Sequence, residues 1–384
     1  MDVDLTKEQI EARREFRKFV DETIVPYAEK IDREQVMPRE LMEKIVARGY
    51  WAPELSKEYG GIGMDWLTFG ILTEEIGRAC SNVRNLLGVQ GMVSHSLLRF
   101  GTKAQRETWL PKIAAGEIVA AFGLTEPQKG SDARNITTEA KHEGNHYTIT
   151  GSKKWISFGQ NADLVLVFAQ CDGKGSAFLL EKDTPGLTVK PLNNLLGYRG
   201  SMVGELIFDG CRVPEENLVG MVGAGISYVA AHGLIHGRYS TAWGCVGLAQ
   251  GCLEHCLAYT GTREQFGVLI KEHQSIQNMI ADMLTGVTAG RQICYRAAYL
   301  QENKDPNAMM EISLAKYFTS EMAMKAAGNA VQIHAANGCS PGYPVQRYFR
   351  DAKVAEIVEG SSQIQQGIIA RYAYKLHQHS QFTS

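Results

Sequence analysis

Two changes of hydrophobic period predict an α+β chain in three segments: helical over about residues 1–119, antiparallel β over 120–225, and helical again over 226–384. The first third repeats its apolar residues near helical spacing. From about residue 120 the repeat shortens to alternation, with turn residues rather than helices between the short runs. After Val213-Pro214 helical spacing returns. There is no βαβ rhythm and no GxGxxG after a strand pattern, so a dinucleotide-binding Rossmann domain is not expected. No internal repeat is visible.

Thr6 followed by Gln9 has the form of a capping box, and Phe16, Val20 and Ile24 then recur near helical spacing. Pro26 should end or kink that helix. Further helices are expected over Leu41–Ala47, Trp66–Ala79 and Thr102–Ala115. Gly60-Gly61-Ile62-Gly63 is a breaker before Trp66, and Thr102 with Gln105 forms a second capping box. In the middle segment His146–Thr150 alternates behind the turn residues Glu143-Gly144-Asn145. Leu164–Phe168 and Ala177–Leu180 flank Asp172-Gly173-Lys174-Gly175 as a hairpin, and Leu187–Val189 and Glu205–Phe208 add two short strands. In the last segment Val246, Ala249, Leu253 and Leu257 share one face. Ile276, Ile280, Met283 and Val287 share another, and Asn307 to Ala336 is rich in Ala, Met and Leu with few breakers.

The length suits two or three domains, and 44% apolar with 21% charged residues excludes disordered and collagenous chains. A formal net charge of −2 supplies no basic field, which argues against nucleic acid as a partner. The eight cysteines contain no CxxC pair, in keeping with a reducing compartment. The N-terminal stretch MDVDLTKEQIEARREF is charged from the start, so no signal peptide is expected. The longest apolar runs, such as Leu164 to Ala169, fall far short of the roughly 18 residues of a membrane span. A soluble, cytoplasmic protein without membrane contact is the expectation.

Four phrases can carry chemistry. Gly123-Leu124-Thr125-Glu126-Pro127-Gln128-Lys129-Gly130-Ser131-Asp132 offers hydroxyls and backbone amides freed by Gly130, able to meet the polar edge of a planar ring or a pyrophosphate. Taken alone it reads first as a plain turn. Trp155-Ile156-Ser157 ends a strand pattern; the indole could wall a flat cofactor, although a strand Trp is by default core packing. Arg263-Glu264-Gln265-Phe266-Gly267 sits in a break between two long helices, where a cation can neutralise phosphates and where a solvated turn is the plain alternative. Val358-Glu359-Gly360-Ser361-Ser362-Gln363 ends one helix and starts another, with Ser361 placed as an N-cap. Glu359 then lies on a loop, where taken singly it reads first as a surface carboxylate near a helix start; entering a cavity instead, it would have its pKa raised by burial and suit the removal of a weakly acidic C–H proton. No metal is expected: Cys245, Cys252, His255 and Cys256 lack zinc spacing, and His232 and His236 have no third ligand in view.

Read in order, GLTEPQKGSD, GSKKWIS, LLGYRGS, TREQFG, AVQIHAANG and YPVQRYFRDAKVAEIVEGSSQIQ resemble the acyl-CoA dehydrogenase family over nearly the whole chain. The resemblance implies an N-terminal helical domain, a middle antiparallel β domain, a C-terminal four-helix bundle, and a non-covalent FAD between sheet and bundle. It implies flavin contacts by Phe122, Leu124, Thr125, Gly130, Ser131, Trp155, Ser157, Ser361 and Gln363. Arg263, Gln265, Phe266 and Gln332 match residues that reach the FAD of a neighbouring subunit, which implies a homo-oligomer, dimer or tetramer. Glu359 matches the catalytic base, and Ser131, Arg238 and Gly360 the substrate contacts. The implied reaction is α,β-dehydrogenation of an acyl thioester on CoA or on an acyl carrier protein, with an electron-transferring flavoprotein as acceptor.

Gln128-Lys129, Val358, Ala335-Ala336 and Ile235 depart from the family's usual Gly-Ala, Tyr, Gly pair and Asp. The stretch from His236 to Gly247 resembles a subgroup that oxidises carrier-bound thioesters to unusual malonyl-type extender units of polyketide and peptide antibiotics. A flavin monooxygenase or oxidase on the same scaffold is the rival reading, and the presence of Glu359 argues against it.

Overall fold

A computed structural model describes residues 5–378; the first four residues of the charged N-terminal stretch lie outside it. The N-terminal helical segment opens with α1 (Lys7–Phe19), capped as expected: the Gln9 amide donates to Thr6 Oγ1 and the Thr6 amide to Gln9 Oε1. Pro26 does not end the helix. One π turn over Val20–Ile24 widens the ladder, Val25 donating to Val20, and carries the chain straight into α2 (Val25–Glu34), whose second residue is Pro26. Proline has no N–H to donate and its ring crowds the carbonyl one turn back, and the widened turn is where the continuous helix absorbs it. α3 (Arg39–Ala47) and α4 (Trp66–Ala79) follow; the Asp65 side chain caps α4 by accepting from Thr68 N–H. Next come α5 (Ser81–Phe100) and α6 (Lys103–Ala114), the latter with the second capping box. Helix α5 has no expected counterpart in the sequence. Ser81 to Ser94 are buried without a break, so no polar face writes a helical period into them.

The sheet comprises β1 (Ala120–Gly123), β2 (Glu139–Glu143), β3 (His146–Ile156), β4 (Leu164–Cys171), β5 (Lys174–Glu181), β6 (Leu187–Pro191), β7 (Gly204–Pro214) and β8 (Leu218–Val219). Its order is β6-β7-β3-β2-β4-β5-β8, with β1 on β4. Most pairs are antiparallel, including the expected β4–β5 hairpin, but β1 lies parallel to β4, Ala120 opposite Leu164. The expected purely antiparallel sheet is therefore mixed. The long excursion from residue 124 to 163, itself holding β2 and β3, is the crossover that parallel pairing requires. Leu164, Leu166 and Phe168 face the core shared with the N-terminal helices, while Val165, Val167 and Ala169 face a second core across the sheet. Burial on both faces explains the unbroken apolar run.

After a π turn at Gly225–Ala230 come α7 (Ala231–Thr260), the two-residue strands β9 (Glu264–Gln265) and β10 (Val268–Leu269), α8 (Gln274–Glu302), α9 (Ala308–His334), α10 (Val345–Ile357) and α11 (Ser362–Gln378). Helix α9 packs on α7, α8, α10 and α11, and α7 also packs on α4 and α5, tying the C-terminal bundle to the N-terminal segment. On the expected α7 face Val246, Ala249 and Leu253 are buried, whereas Leu257 is 52% exposed near the helix end. Among the described residues no helix is long and apolar enough to cross a membrane.

Candidate active site

The loop Gly123–Asp132 leaves the end of β1 and is anchored by its own carboxylate. Glu126 is buried and accepts from the amides of Thr137 (2.6 Å) and Thr138 (2.8 Å), from both threonine hydroxyls, and from Lys153 Nζ (2.8 Å). Burial opposes the charge, but Lys153 and these donors outweigh it and bring the Glu126 carboxyl down to about 2. Lys153 is fully buried and also donates to Leu124 O; burial lowers its ammonium to about 8, against the pull of Glu126. The next residue, Lys154, donates its amide to Thr125 O at 2.8 Å, so strand β3 and the loop run side by side.

A register shift in the β3–β7 pairing between Lys153 and Ile156 then turns Trp155 out of the strand, at φ 63° and 53% exposed. The core-packing alternative for this indole is set aside by that exposure. Ser157 Oγ accepts from Asn85 Nδ2 of α5 at 3.1 Å, and Asn85 also reaches Ser201 Oγ. Gly130 and Ser131 lie at the exposed tip, with nothing within 4 Å of where a Gly130 Cβ would sit.

Glu359 occupies the turn between α10 and α11 with φ 57°, followed by Gly360 at φ 87°. A left-handed glutamate is costly and needs support from its surroundings. Three side chains hold this turn by its carbonyls: Arg238 Nε and Gln365 Nε2 donate to Glu359 O at 3.1 and 3.0 Å, and Lys316 Nζ donates to Gly360 O at 2.9 Å. Ser361 Oγ accepts from Ile364 N–H, the N-cap role expected of it, and Gln363 sits exposed in the first turn of α11. The Glu359 side chain turns inward, and its Oε2 is buried without a hydrogen-bond partner. Burial raises its pKa, while Arg238, Arg84 and Lys316 restrain the rise.

Helix α7 brings this carboxyl to the sheet. A Cβ at Gly237 would fall 2.6 Å from Glu359 Cδ, and one at Gly233 would fall 2.8 Å from Phe122 Cε2. Phe122 at the end of β1 and Glu359 on the far turn thus meet the same helix one turn apart, with Met92 of α5 between them. The structure brings together Phe122, Leu124, Thr125, Trp155 and Ser157 on one side and Arg238, Glu359, Gly360 and Ser361 on the other. Arg263, Gln265 and Phe266 gather elsewhere, lining a 430 Å³ cavity with His334, Ala335 and Asn337; Gln332 lies in the last turn of α9 beside it. Phe266 is 94% exposed at φ 58°, a bare aromatic ring on a short hairpin, and Ala335 takes a positive φ of 53°, a conformation that glycine adopts without strain.

Sequence reasoning did not single out Lys316, Gln365 or Asn85; Lys316 and Asn85 act across long sequence separations, and Gln365 acts on a residue six positions before it. It also left His236 without a third partner, whereas the fold sets Glu54 and His95 beside it.

Three family descriptions match the chain: acyl-CoA dehydrogenase, N-terminal domain, over residues 6–117; middle domain, over 121–211; and C-terminal domain, over 223–374. An acyl-CoA dehydrogenase of Bacillus subtilis (strain 168) is 39% identical over 374 residues, covering 96% of this chain and 98% of its own. A glutaryl-CoA dehydrogenase from Mycobacterium smegmatis, solved in complex with FADH2, superposes with a TM-score of 0.92 at 28% identity, over 96% of this chain and 95% of that one. FkbI, a protein for biosynthesis of the methoxymalonyl extender unit of the polyketide Fk520, superposes with a TM-score of 0.87 at 32% identity, over 94% and 99%.

Proposed function

The chain belongs to the acyl-CoA dehydrogenase family, and on that footing we propose that it is an FAD-dependent dehydrogenase of acyl thioesters in which Glu359 removes the α-proton. One observation carries the reading: a carboxyl held by a clamped left-handed turn, its Oε2 buried and unpartnered and its pKa raised by burial. A base so placed is stronger than a solvated carboxylate, and its buried oxygen makes no other hydrogen bond. The flavin reading is supported by the exposed Trp155 face beside Thr125, the open space at Gly130 and the hydroxyl of Ser157.

Phe122, Leu124, Thr125, Gly130, Ser131, Trp155, Ser157, Ser361 and Gln363 would hold FAD, which when bound accepts the hydride that leaves the β-carbon. The Glu359 amide, beyond the end of α10, is the donor proposed for the thioester carbonyl, so that negative charge gathering there is met as the proton leaves. Arg238 and Lys316 fix the turn by its carbonyls and so aim the carboxyl. Ser131 and Arg238 are proposed contacts of the thioester arm. Exposed Phe266, with Arg263, Gln265 and Gln332, would complete the flavin site of a second subunit, which makes the working enzyme a homo-oligomer. An electron-transferring flavoprotein is the proposed acceptor.

The likeness to FkbI favours a second reading of the substrate, an acyl group on a carrier protein rather than on CoA. The experiment is anaerobic bleaching of the bound flavin by one acyl group presented on CoA and on carrier protein. Bleaching by both supports the base and leaves the arm unselective; bleaching only on the carrier selects the second reading. A flavin that no acyl thioester bleaches refutes the proposal.

A further inference from the structure

We propose that Glu54, His95 and His236 form the polar end of the acyl pocket and select a short acyl group that carries a hydroxyl. The inference rests on Glu359 being the reacting base, and it concerns what lies beyond that base along the α5–α7 seam. The three side chains come from a loop and two helices: Glu54 Oε2 lies 2.5 Å from His236 Nε2, Glu54 Oε1 lies 3.4 Å from His95 Nε2, and the two imidazoles are 4.7 Å apart between centroids. Trp66 and Phe69 close over them, at 5.3 Å from His95 and 5.1 Å from His236. The His236 side chain is 1% exposed and that of Glu54 7%.

Placing a carboxylate and two imidazoles among aromatic rings is unfavourable unless the set closes on itself. It does not close. Glu54 and His236 share one short hydrogen bond, but His95 Nε2 stands 3.4 Å from Glu54 Oε1 at ion-pair distance only, and neither of these two buried atoms makes a hydrogen bond. His95 keeps 15% of its side chain accessible, the most open of the three. What is left is one carboxylate acceptor and the His95 nitrogen side by side, with His236 Nδ1 also unpartnered where its ring lies against Gly91. A hydroxyl is the small group that serves both, donating to the carboxylate oxygen and accepting from an imidazole N–H. A methyl group serves neither, and an acyl chain ending in a carboxylate would face Glu54 as a like charge.

The cluster adjoins the helix positions that face Glu359. His236 precedes Gly237, the residue whose missing side chain leaves room for the Glu359 carboxyl. On the facing helix Met92, which approaches that same point to 2.9 Å, stands three residues before His95. The His236 ring lies against the α5 backbone at Gly91, where a Cβ would come within 2.6 Å of its Nδ1. Both helices that shape the space around Glu359 therefore present an imidazole to the same end of it.

The test uses the full-length flavin-loaded protein and two pantetheine thioesters, 3-hydroxypropionyl and butyryl, which differ by hydroxyl for methyl. Pantetheine is the arm common to CoA and carrier protein, so the choice between those does not enter. Anaerobic flavin reduction gives kcat and KM for each; the shift of the flavin spectrum in Glu359→Gln gives affinity without turnover. The expected preference for the hydroxyl is about tenfold to hundredfold, expressed in KM and in the spectral titration. His95→Leu and, independently, Glu54→Gln should reduce that ratio to within about threefold, and His95→Asn should restore part of it, with thermal melting confirming a folded protein. Equal affinity for the two thioesters in the parent protein, or an unchanged ratio in both folded variants, overturns the proposal. Should neither thioester reduce the parent's flavin while the spectral preference and its loss in His95→Leu persist, the base reading fails and this one stands.

Discussion

Replacing Gly237 by alanine should leave the fold intact and slow flavin reduction about a hundredfold. The added Cβ would stand 2.6 Å from Glu359 Cδ and 2.9 Å from Met92 Sδ, against an ordinary carbon contact of about 3.5–4.0 Å. The carboxyl must therefore withdraw by about 1 Å. Its backbone cannot follow easily, because Arg238 and Gln365 grip Glu359 O and Lys316 grips Gly360 O. The motion falls on the side-chain torsions, and the proton-abstracting oxygen is the atom that moves. Both obstructing groups are ends of flexible side chains, so the folded state loses little, and alanine recovers up to about 1 kcal/mol of helix propensity. The assay is stopped-flow anaerobic reduction beside a thermal melt and a flavin count. A reduction rate within about twofold of the parent would show that the carboxyl does not work from this position. A melt several degrees lower would show that the backbone, not the side chain, had yielded.

Glu359→Gln should keep its flavin and lose about 10²–10⁴ in reduction rate, and its pH profile should flatten. In the parent the ionised form is the base, so the rate rises with pH through an apparent pKa above the usual carboxyl value, the direction burial gives. The same raised pKa means that ionising Glu359 costs the folded state stability as pH rises. The glutamine variant should therefore melt no lower than the parent at neutral pH, with any advantage vanishing below the unfolded carboxyl pKa. Lys153→Met breaks a buried pair and should destabilise by about 3 kcal/mol in urea unfolding, with flavin released earlier in the transition, because Glu126 keeps four other donors. Acid should expose the same anchor: with its folded pKa depressed to about 2, Glu126 contributes stability above about pH 4.5 and loses it progressively below. Gly247→Ala is the opposite case to Gly237→Ala. Its Cβ would meet the α4 backbone at Glu74 and Arg78, so it should cost about 1–3 kcal/mol or more while sparing Glu359.

Features written in adjacent residues were legible in the sequence. Both capping boxes, the Asp172-Gly173 hairpin and the change of period near residue 120 are local, and the structure has each of them. Pro26 was legible as a perturbation but not as a π turn, since the sequence does not show how a helix absorbs it. Helix α5 was hidden because burial on every side erases the amphipathic period. In the site, Glu359 could be found from its place between two helices. Its supports could not: Gln365 is six residues away, but Arg238 and Lys316 come from α7 and α9. The polar cluster was the least legible of all, Glu54 and His236 being 182 residues apart with no motif around Glu54. Trp155 shows the converse limit. Its strand pattern argued for the core, and a single bulge reversed its side.

The glycines of α7 join these two kinds of information. A 30-residue helix containing five of them has poor intrinsic propensity, each costing up to about 1 kcal/mol against alanine. Every one of the five marks a close approach: Gly233 to Phe122, Gly237 to Glu359, Gly244 to Arg84, Gly247 to the α4 backbone at Glu74, and Gly251 to that of Arg78. The facing helices reciprocate, Gly70 against Trp243, Gly77 against Gly244, Gly88 against Ser240 and Gly91 against His236. Local stability is thus given up for short distances between elements. At the sheet-facing end those distances set how far Phe122 stands from Glu359, and so fix the gap in which the reaction is proposed to occur. Glycines at helical spacing in an otherwise apolar helix are then a sequence signal in their own right. They say that something must come close, and here what comes close at Gly233 and Gly237 is the two sides of the site.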